Sequence, residues 1–261
     1  MARSMSELVV SGLSKSFGGV TACRDVTFST SSGKCTAVIG PNGAGKSTLI
    51  SLISGAQRAD QGSVKLDGVE MYGRTQRAIA RSGIIRSFQS GGEFARLTAL
   101  ESVLIGARID RPEGLREALL GRRSWRRIEA SYIERAVELL EGFGLSSHIN
   151  SPMGILSGGE RRLVEIAGIL AARPKVILLD EPTAGVHDVM IARLERLIRK
   201  IVEDEVIVVI IEHELGLVGR LCDHIVMMAD GTVLRQASSL DELRQDPEVV
   251  AAYFGRAVAT Q

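Results

Sequence analysis

The chain has 261 residues, 45% of them hydrophobic, and a formal net charge of +1 at pH 7. This apolar content is enough for a substantial core and excludes a disordered chain, and the balanced charge gives no reason to expect a nucleic-acid partner. Cys23, Cys35 and Cys222 stand apart with no CxxC pair, so we expect reduced core thiols and neither a disulfide framework nor a zinc site. No apolar run approaches the roughly 20 residues that span a bilayer, so we expect any membrane role to depend on a partner.

Short apolar segments separated by glycine, serine and aspartate open the chain. Leu8 to Val10, Val26 to Phe28 and Val64 to Leu66 predict strands of a small antiparallel sheet, because turn residues such as Asp67-Gly68 flank them. Phe17 lies in a glycine-rich turn, where an exposed aromatic ring could stack on a flat base such as adenine. A phenylalanine that caps the core is the alternative interpretation.

The segment Gly40-Pro41-Asn42-Gly43-Ala44-Gly45-Lys46-Ser47-Thr48 fits the phosphate-binding loop pattern Gly-x4-Gly-Lys-Ser/Thr. It follows Cys35 to Ile39, which predicts a buried strand, and it precedes a helical apolar pattern that runs to Ile53. Free N–H groups at a helix N-terminus bind phosphate, and glycines let the backbone approach it. We therefore expect Lys46 to reach the β- and γ-phosphates of a nucleotide and Ser47 to ligate Mg²⁺. A glycine-rich turn with a solvated lysine is the alternative.

Residues from Arg74 to about Ala171 carry mainly helical patterns. Gln89 is expected at a strand end before a glycine-rich turn. Thr98 and Glu101 form a capping box, which predicts a helix that starts at Ala99.

Arginines dominate the segment from Arg108 to Arg127, with seven arginines against three acids and the only tryptophan, Trp125. A solvated face is one interpretation, and contact with anionic lipid headgroups or a membrane partner is the other. The next segment predicts an amphipathic helix that Gly142 and Gly144 end. Its apolar residues at helical spacing are Ile133, Ala136, Val137 and Leu140.

Leu156-Ser157-Gly158-Gly159-Glu160 combines a capping box with two glycines in the first turn of a helix that runs to about Ala171. The capping box accounts for Ser157 and Glu160, whereas each glycine weakens a helix by about 1 kcal/mol relative to alanine. Glycines at a helix N-terminus suit a backbone that an anion approaches. We therefore expect a second phosphate site at Ser157, Gly158 and Gly159.

Pro174 to Leu179 predicts a buried parallel strand that ends in two acids, Asp180 and Glu181. Ligands of open α/β sheets collect at the carboxyl ends of strands. Asp180 is therefore expected near the phosphate loop, where it would hold Mg²⁺ directly or through water. Glu181 could accept a proton from an attacking water. A solvated pair of loop acids is the alternative.

Val206 to Ile211 predicts another buried strand, which Glu212 and His213 follow. No second histidine lies at ligand spacing, so a metal site there is not expected. Within a phosphate site, His213 could orient water or bond the γ-phosphate. An amphipathic helix is predicted over Met190 to Ile201, and a hairpin is predicted around Asp230-Gly231.

Taken in order, these motifs resemble those of the ATP-binding cassette family, the nucleotide-hydrolysing subunits of ABC transporters, over nearly the whole chain. The resemblance implies an α/β fold: a P-loop NTPase with a RecA-like core, an antiparallel β subdomain and an inserted α-helical subdomain. It divides the chain into a nucleotide-binding core with the β subdomain, residues 1–89 and 173–261, and a helical subdomain, residues 90–172.

The resemblance also implies which residues act on the nucleotide. The residues that act on the γ-phosphate are Glu181 as the catalytic glutamate, His213 as the switch histidine and Gln89 as the Q-loop glutamine. The residues that hold ATP within one subunit are Phe17 and the Walker A segment from Gly40 to Thr48. The implied Mg²⁺ ligands are Ser47, Gln89 and Asp180.

By the same resemblance, two cassettes form a head-to-tail dimer with two ATP molecules between them. Each ATP lies on the Walker A segment of one subunit and under Ser157-Gly158-Gly159 of the other. ATP binding closes the dimer, and hydrolysis reopens it and drives integral membrane permease subunits. The implied partners also include a paralogous cassette in place of a second copy, and a periplasmic or lipoprotein solute-binding protein. The implied location is the cytoplasmic face of the plasma membrane, with no nucleic acid involved.

Within the family, the sequence is similar to the cassettes of branched-chain amino acid importers. The segments that carry this likeness are Leu13 to Gly19, Arg86 to Gln89, the arginine-rich segment from Arg108 to Arg127, Glu181 to Gly185, Glu212 to Glu214 and the ending Asp246 to Gly255. They imply an ATPase coupled to import of branched-chain or related amino acids. Two alternatives stay open: an exporter cassette, such as one that extracts lipopolysaccharide, and a soluble ABC ATPase with no membrane subunit.

Overall fold

The computed structural model describes residues 5–87, 95–107 and 122–254, and for residues 122–128 and 253–254 it describes the backbone alone. Gln89 and residues 108–121 of the arginine-rich segment lie outside the described residues. The chain divides into two compact units. The first, which we call the sheet unit, comprises Met1–Arg86, Lys175–Ala184 and Glu195–Gln261. The second, the helical unit, comprises Ser87–Pro174 and Gly185–Leu194.

Strands and helices alternate along most of the described chain. In chain order they are β1 (Glu7–Phe17), β2 (Val20–Ser31), β3 (Cys35–Ile39), α1 (Lys46–Ile53), β4 (Gln61–Leu66), β5 (Val69–Glu70), α2 (Gln76–Arg81), β6 (Ile84–Arg86), α3 (Ala99–Ala107), α4 (Arg122–Gly142), α5 (Gly158–Ala171), β7 (Val176–Asp180), α6 (Asp188–Glu203), β8 (Ile207–Ile211), α7 (Leu215–Leu221), β9 (His224–Ala229), β10 (Thr232–Ala237), α8 (Leu240–Arg244) and α9 (Pro247–Val249). Single 3₁₀ turns occur at Ser146–His148 and Met153–Ile155, and Val250–Phe254 is a π-helical turn.

The larger sheet of the sheet unit has the strand order β10-β9-β3-β8-β7-β6. Its strands pair in parallel from β9 to β6, and β10 joins β9 in the predicted antiparallel hairpin. Every residue of β3, β7 and β8 is buried, as the continuous apolar runs predict for parallel strands covered on both faces. Because β8 lies between β3 and β7, the carboxyl ends of these three strands share one edge.

The smaller sheet has the order β2-β1-β4-β5 and is antiparallel, which confirms the predicted arrangement. Its first two strands are longer than predicted, 11 and 12 residues. Leu8, Val10, Val26 and Phe28 face the core, and most polar residues of the two strands are at least partly exposed, although Thr30 is buried. The alternation extends past the short apolar segments. These four side chains join one buried cluster with residues of β3, α1, β7 and β8.

In the helical unit, α3 and α5 pack closely at two glycines. A Cβ atom on Gly106 would overlap the backbone of Gly168, so the two helix backbones approach each other at this point. The predicted helix starts are confirmed, because Thr98 and Ser157 each accept from the backbone N–H of a glutamate that bonds back to them. In α4 the prediction was wrong for Ile133, which is 39% exposed, whereas Ala136 and Leu140 are buried.

The three cysteines are free, as predicted, but their placement differs from the prediction in one respect. Cys23 and Cys35 are buried, whereas Cys222 is partly exposed. The structure brings the Sγ atoms of Cys35 and Cys222 to 3.4 Å of each other, although 187 positions separate them along the sequence. None of the helices in the described part of the chain is both long and apolar enough to cross a membrane.

Candidate functional site

The glycine-rich loop from Gly40 to Gly45 connects the end of β3 to the first residue of α1. Three of its glycines have positive φ angles, Gly40, Gly43 and Gly45. A Cβ atom on Gly40 would overlap the carbonyl of Met228, and one on Gly45 would overlap the carbonyl of Ala22. Two of the glycines are therefore required by the packing of the loop itself. Within the described part of the chain no side chain caps the N-terminus of α1, which leaves its first backbone N–H groups available to an anion.

Lys46 begins α1 and is 6% exposed. Its ammonium donates to the carbonyl oxygens of Gly40 and Pro41, at 2.8 and 3.0 Å, so it folds back over the loop. Burial lowers the pKa of Lys46, and the carboxylates of Glu181 and Asp180 act in the opposite direction. The lysine of the loop is therefore in the electric field of both acids, as the sequence predicted for a shared strand edge.

Asp180 is the last residue of β7 and is fully buried. Its Oδ2 accepts from Nη2 of Arg86 at 2.8 Å. The other nitrogen, Nη1, donates to the hydroxyl of Ser51 at 2.7 Å, and Ser51 donates to the carbonyl of Ser47 at 2.7 Å. A buried carboxylate requires such a partner. Arg86 thus connects the acid at the end of β7 to the first two turns of α1.

Glu181 follows β7 and has a φ angle of 47°, a left-handed conformation that is uncommon outside glycine. Its backbone N–H donates to the carbonyl of Ile211 at 3.0 Å, which ties the segment to the end of β8. Its Oε1 lies 3.0 Å from Nε2 of His213. Both side chains remain partly exposed, 37% for Glu181 and 40% for His213, so the pair faces solvent at the strand edge.

Phe17 ends β1, and the residue is 43% exposed. The ammonium of Lys15 lies 5.3 Å from the centre of the ring, a cation–π distance. The exposure is compatible with a ring that stacks on a ligand and argues against the alternative of a phenylalanine that caps the core.

In the helical unit, Ser157 is the N-cap of α5 and forms the predicted capping box with Glu160. Ser157 and Gly158 are exposed, whereas Gly159 is buried. A Cβ atom on Gly159 would overlap the side chain of Met190, so packing accounts for this glycine. A Cβ atom on Gly158 would meet only the carbonyl of Gly185, at 3.8 Å, an ordinary contact. Among the described residues, packing therefore requires a glycine at position 159 but not at position 158.

The sheet unit thus brings together the loop from Gly40 to Thr48, Asp180, Glu181 and His213, and it also carries Phe17. Ser157, Gly158 and Gly159 lie in the helical unit, and Gln89 lies outside the described residues. Arg86 is a functional-site residue that sequence patterns did not reveal. One signal could have found it, because a buried aspartate at a strand end needs a cation. Arg86 is such a cation, and it ends β6, the strand that pairs with β7.

Within residues 5–87, 95–107 and 122–254, no group of three or more histidine, cysteine, aspartate or glutamate side chains is placed to hold a metal ion. This arrangement differs from an all-protein metal site. The oxygens available near the loop, the Ser47 hydroxyl and the Asp180 carboxylate, are of the type that Mg²⁺ prefers when nucleotide phosphates supply further ligands.

Comparison with known proteins identifies the family. A family model described as ABC transporter matches residues 23–184. The branched-chain amino acid transport ATP-binding protein BraF of Pseudomonas aeruginosa is 35% identical over 251 residues, which cover 96% of this chain and 98% of that protein. The probable branched-chain amino acid transport ATP-binding protein LivG of Archaeoglobus fulgidus is 36% identical over 254 residues, 96% of each chain.

Solved structures agree with these sequence relatives. A nucleotide-free ATP-binding cassette from an ABC transporter is 32% identical, has a TM-score of 0.83 and covers 94% of this chain and 97% of its own. An ATP-binding cassette of an ABC transporter in its ADP conformation is also 32% identical, with a TM-score of 0.84 and coverage of 97% and 100%. The chain belongs to the ABC transporter family of ATP-binding cassettes. It is an ATPase of that family, and it has the predicted α/β fold of a P-loop NTPase.

Proposed function

We propose that the chain is the ATP-hydrolysing subunit of a membrane transporter that imports branched-chain or related amino acids. The observation that carries the hydrolytic part is the 3.0 Å contact between Glu181 and His213. This pair lies at the strand edge that also holds the phosphate loop and the buried Asp180. The substrate class is supported by the two relatives named above, which are described as branched-chain amino acid transport ATP-binding proteins. The similarity covers nearly the whole length of both relatives.

ATP binding uses the loop from Gly40 to Thr48. The uncapped N–H groups of α1 bind the phosphates, and the Lys46 ammonium exchanges its two carbonyl partners for β- and γ-phosphate oxygens. A phosphate oxygen carries more negative charge than a carbonyl oxygen, so this exchange is favourable. The exposed ring of Phe17 stacks on the adenine base.

Hydrolysis uses Glu181 as the general base, because its carboxylate is exposed at the strand edge and can take a proton from a water that attacks the γ-phosphate. The Nε2 atom of His213 lies 3.0 Å from the carboxylate of Glu181, and His213 also bonds the γ-phosphate. Gln89 is the third residue that acts on the γ-phosphate. Ser47, Asp180 and Gln89 would hold Mg²⁺. When bound, Mg²⁺ neutralises charge on the β- and γ-phosphates.

A second cassette completes the site in this proposal. Ser157, Gly158 and Gly159 act in trans on the ATP held by the other subunit. This assignment is supported by the exposure of Ser157 and Gly158 and by the room for a Cβ at Gly158, since the described residues would make only an ordinary contact with it. The partner is a second copy of this chain or a paralogous cassette.

The remaining partners are integral permease subunits and a periplasmic or lipoprotein solute-binding protein. The chain binds the permease peripherally at the cytoplasmic face of the plasma membrane. ABC exporters and soluble ABC ATPases receive less support, because the curated relatives named above are described as branched-chain amino acid transport proteins.

A test of this proposal is uptake of radiolabelled leucine, isoleucine and valine in cells of the source organism that lack the chain. We expect deletion to abolish high-affinity uptake, the wild-type chain to restore it, and Glu181→Gln to fail to restore it. Uptake of a sugar serves as the control and should not change. If deletion leaves branched-chain amino acid uptake at the wild-type level, the substrate assignment is wrong. If Glu181→Gln restores uptake fully, the assignment of the base is wrong.

A further inference from the structure

A buried carboxylate, that of Glu212, bonds to both segments that carry the Glu181–His213 pair. Glu212 follows the last residue of β8 and is 3% exposed. Its Oε1 accepts from the backbone N–H of Thr183 at 3.2 Å and from the Thr183 hydroxyl at 2.7 Å. Its Oε2 accepts from the backbone N–H of His213 at 3.2 Å. All three bonds come from the two segments that carry Glu181 and His213.

Burying the carboxylate of Glu212 costs free energy, so its hydrogen bonds must compensate for lost hydration. An ionised group removed from water is unfavourable unless hydrogen bonds replace its hydration. An apolar residue at position 212 would avoid that cost, but it would leave the N–H and hydroxyl of the buried Thr183 without their acceptor. The carboxylate therefore holds together donors that belong to two different strand ends.

The geometry connects Glu212 to both members of the pair. Thr183 stands two residues after Glu181, within the turn in which the N–H of Ala184 bonds the carbonyl of Glu181 at 3.1 Å. His213 is the next residue after Glu212. A shift of the Glu212 carboxylate would thus move the segment of Glu181 relative to the segment of His213, and the left-handed backbone of Glu181 gives that segment little freedom to compensate.

We infer that Glu212 is a positioning residue for ATP hydrolysis: its carboxylate fixes the separation between the Glu181 carboxylate and the His213 imidazole. The inference rests on the proposed roles of Glu181 and His213. Glu212 itself bonds no reacting group, so its effect on turnover passes through the pair. Nucleotide binding on the phosphate loop does not involve it.

The test compares Glu212→Gln with Glu214→Gln in the purified full-length chain. Both variants remove one negative charge, but Glu214 is exposed and makes none of these bonds, so it is the matched control. In Glu212→Gln the amide oxygen can still accept from Thr183, whereas the amide nitrogen faces the N–H of His213 and loses that bond. We expect kcat to fall at least tenfold in Glu212→Gln and less than twofold in Glu214→Gln. The ATP dissociation constant should change less than twofold in both.

A double-mutant cycle with His213→Ala separates positioning from a general structural effect. If Glu212 acts through His213, adding Glu212→Gln to His213→Ala should lower kcat by less than twofold further. A tenfold further loss in that background would overturn the inference, as would unchanged kcat in Glu212→Gln alone. Loss of turnover in Glu181→Gln and His213→Ala together with full turnover in Glu212→Gln would reject the positioning role and leave the proposed function intact. Full turnover in Glu181→Gln would reject the proposed base instead.

Thr183 supplies a second comparison if Glu212→Gln does not fold. Thr183→Ser keeps the hydroxyl that bonds Glu212, whereas Thr183→Val keeps the shape and removes it. We expect Thr183→Ser to retain at least half of the wild-type kcat and Thr183→Val to lose three- to tenfold, both with an unchanged ATP dissociation constant. Equal kcat in the two variants would overturn the inference.

Discussion

The Oε1 atom of Glu181 lies 3.0 Å from the Nε2 atom of His213, and the two residues stand at the carboxyl ends of the adjacent strands β7 and β8. The backbone bond from Glu181 to Ile211 holds these strand ends together, and Glu181 has a left-handed backbone conformation, with φ 47°. Such strain is retained where the surrounding structure determines the position of a side chain. The pair is therefore the part of the site in which small changes should have the largest effect on hydrolysis.

Replacing Glu181 by glutamine should separate ATP binding from ATP hydrolysis. The amide keeps the size of the side chain but cannot accept a proton from water, so we expect kcat to fall about 10²-fold or more while the ATP dissociation constant changes little. Steady-state phosphate release and equilibrium binding of a fluorescent ATP analogue measure the two quantities. Glu214→Gln, a neighbouring exposed glutamate, is the control and should keep wild-type turnover. Equal turnover in Glu181→Gln and the wild type would contradict the assignment.

The two glycines at the start of α5 should respond differently to alanine. Gly159→Ala places a methyl group against Met190, so we expect a loss of about 1–3 kcal/mol in the free energy of unfolding. Gly158→Ala makes an ordinary contact with the carbonyl of Gly185 at 3.8 Å and should leave the free energy of unfolding unchanged or slightly raised, because alanine favours helix.

The same two variants also test whether the start of α5 contacts the ATP that the other subunit holds. Gly158→Ala should lower ATP turnover at least tenfold, since the added methyl would obstruct the ATP of the other subunit. Urea unfolding and phosphate release give the two measurements. A Gly158→Ala chain with full turnover would remove the support for a phosphate site at this helix N-terminus.

Two glycines of the phosphate loop form another matched pair. Gly43 and Gly45 both have positive φ angles, +84° and +94°, so alanine should cost each about 1 kcal/mol in backbone strain. Gly45→Ala also overlaps the carbonyl of Ala22, whereas a Cβ on Gly43 has no atom of a described residue within 4 Å. We expect urea unfolding without nucleotide to show a total loss of about 3 kcal/mol or more for Gly45→Ala. Equal losses in the two variants would show that the carbonyl of Ala22 does not restrict the loop.

Cys23 should make the stability of the fold depend on pH in the alkaline range. Its Sγ lies 3.6 Å from the carbonyl oxygen of Gly45, and burial raises its pKa from the ordinary 9.0 to about 11. The pKa of Cys23 is higher in the folded chain than in the unfolded chain, so the neutral thiol favours the folded state. This contribution to the free energy of unfolding is complete below pH 9 and is lost as pH rises through 11. By pH 10 the loss is about 1.4 kcal/mol.

The measurement is the difference in free energy of unfolding between the wild type and Cys23→Ala at pH 7.5 and at pH 10. We expect the wild type to lose about 1.4 kcal/mol relative to the variant over this range. Comparing the two pH values cancels the packing that alanine removes. A difference that stays constant with pH would show that Cys23 ionises equally well in the folded and unfolded chain.

Much of the architecture followed from local pattern. Cys35 to Ile39 is a continuous apolar run between turn signals, so both its strand character and its burial could be predicted. The capping boxes at Thr98 and Ser157 fixed two helix starts, because the residues involved lie only three positions apart. Ile133 was misassigned because helical spacing alone does not show how far a packing partner extends along the helix.

Contacts between distant parts of the chain could not be predicted in the same way. The approach of Cys35 to Cys222 depends on the pairing of β3 with β9, which the order of strands in the sequence does not specify. The role of Glu212 was hidden for a similar reason, since its partner Thr183 lies 29 positions away. The two glycines at Gly158 and Gly159 looked equivalent, and only the position of Met190 distinguishes them.

In the proposed mechanism one chain supplies only part of each ATP site, and a second cassette supplies the rest. Specific ATPase activity measured over a dilution series, with the molar mass recorded in each sample by light scattering, tests this claim. We expect activity per chain to fall on dilution in proportion to the dimer and to vanish in samples that contain monomer alone. Full activity per chain in a strictly monomeric sample would contradict it.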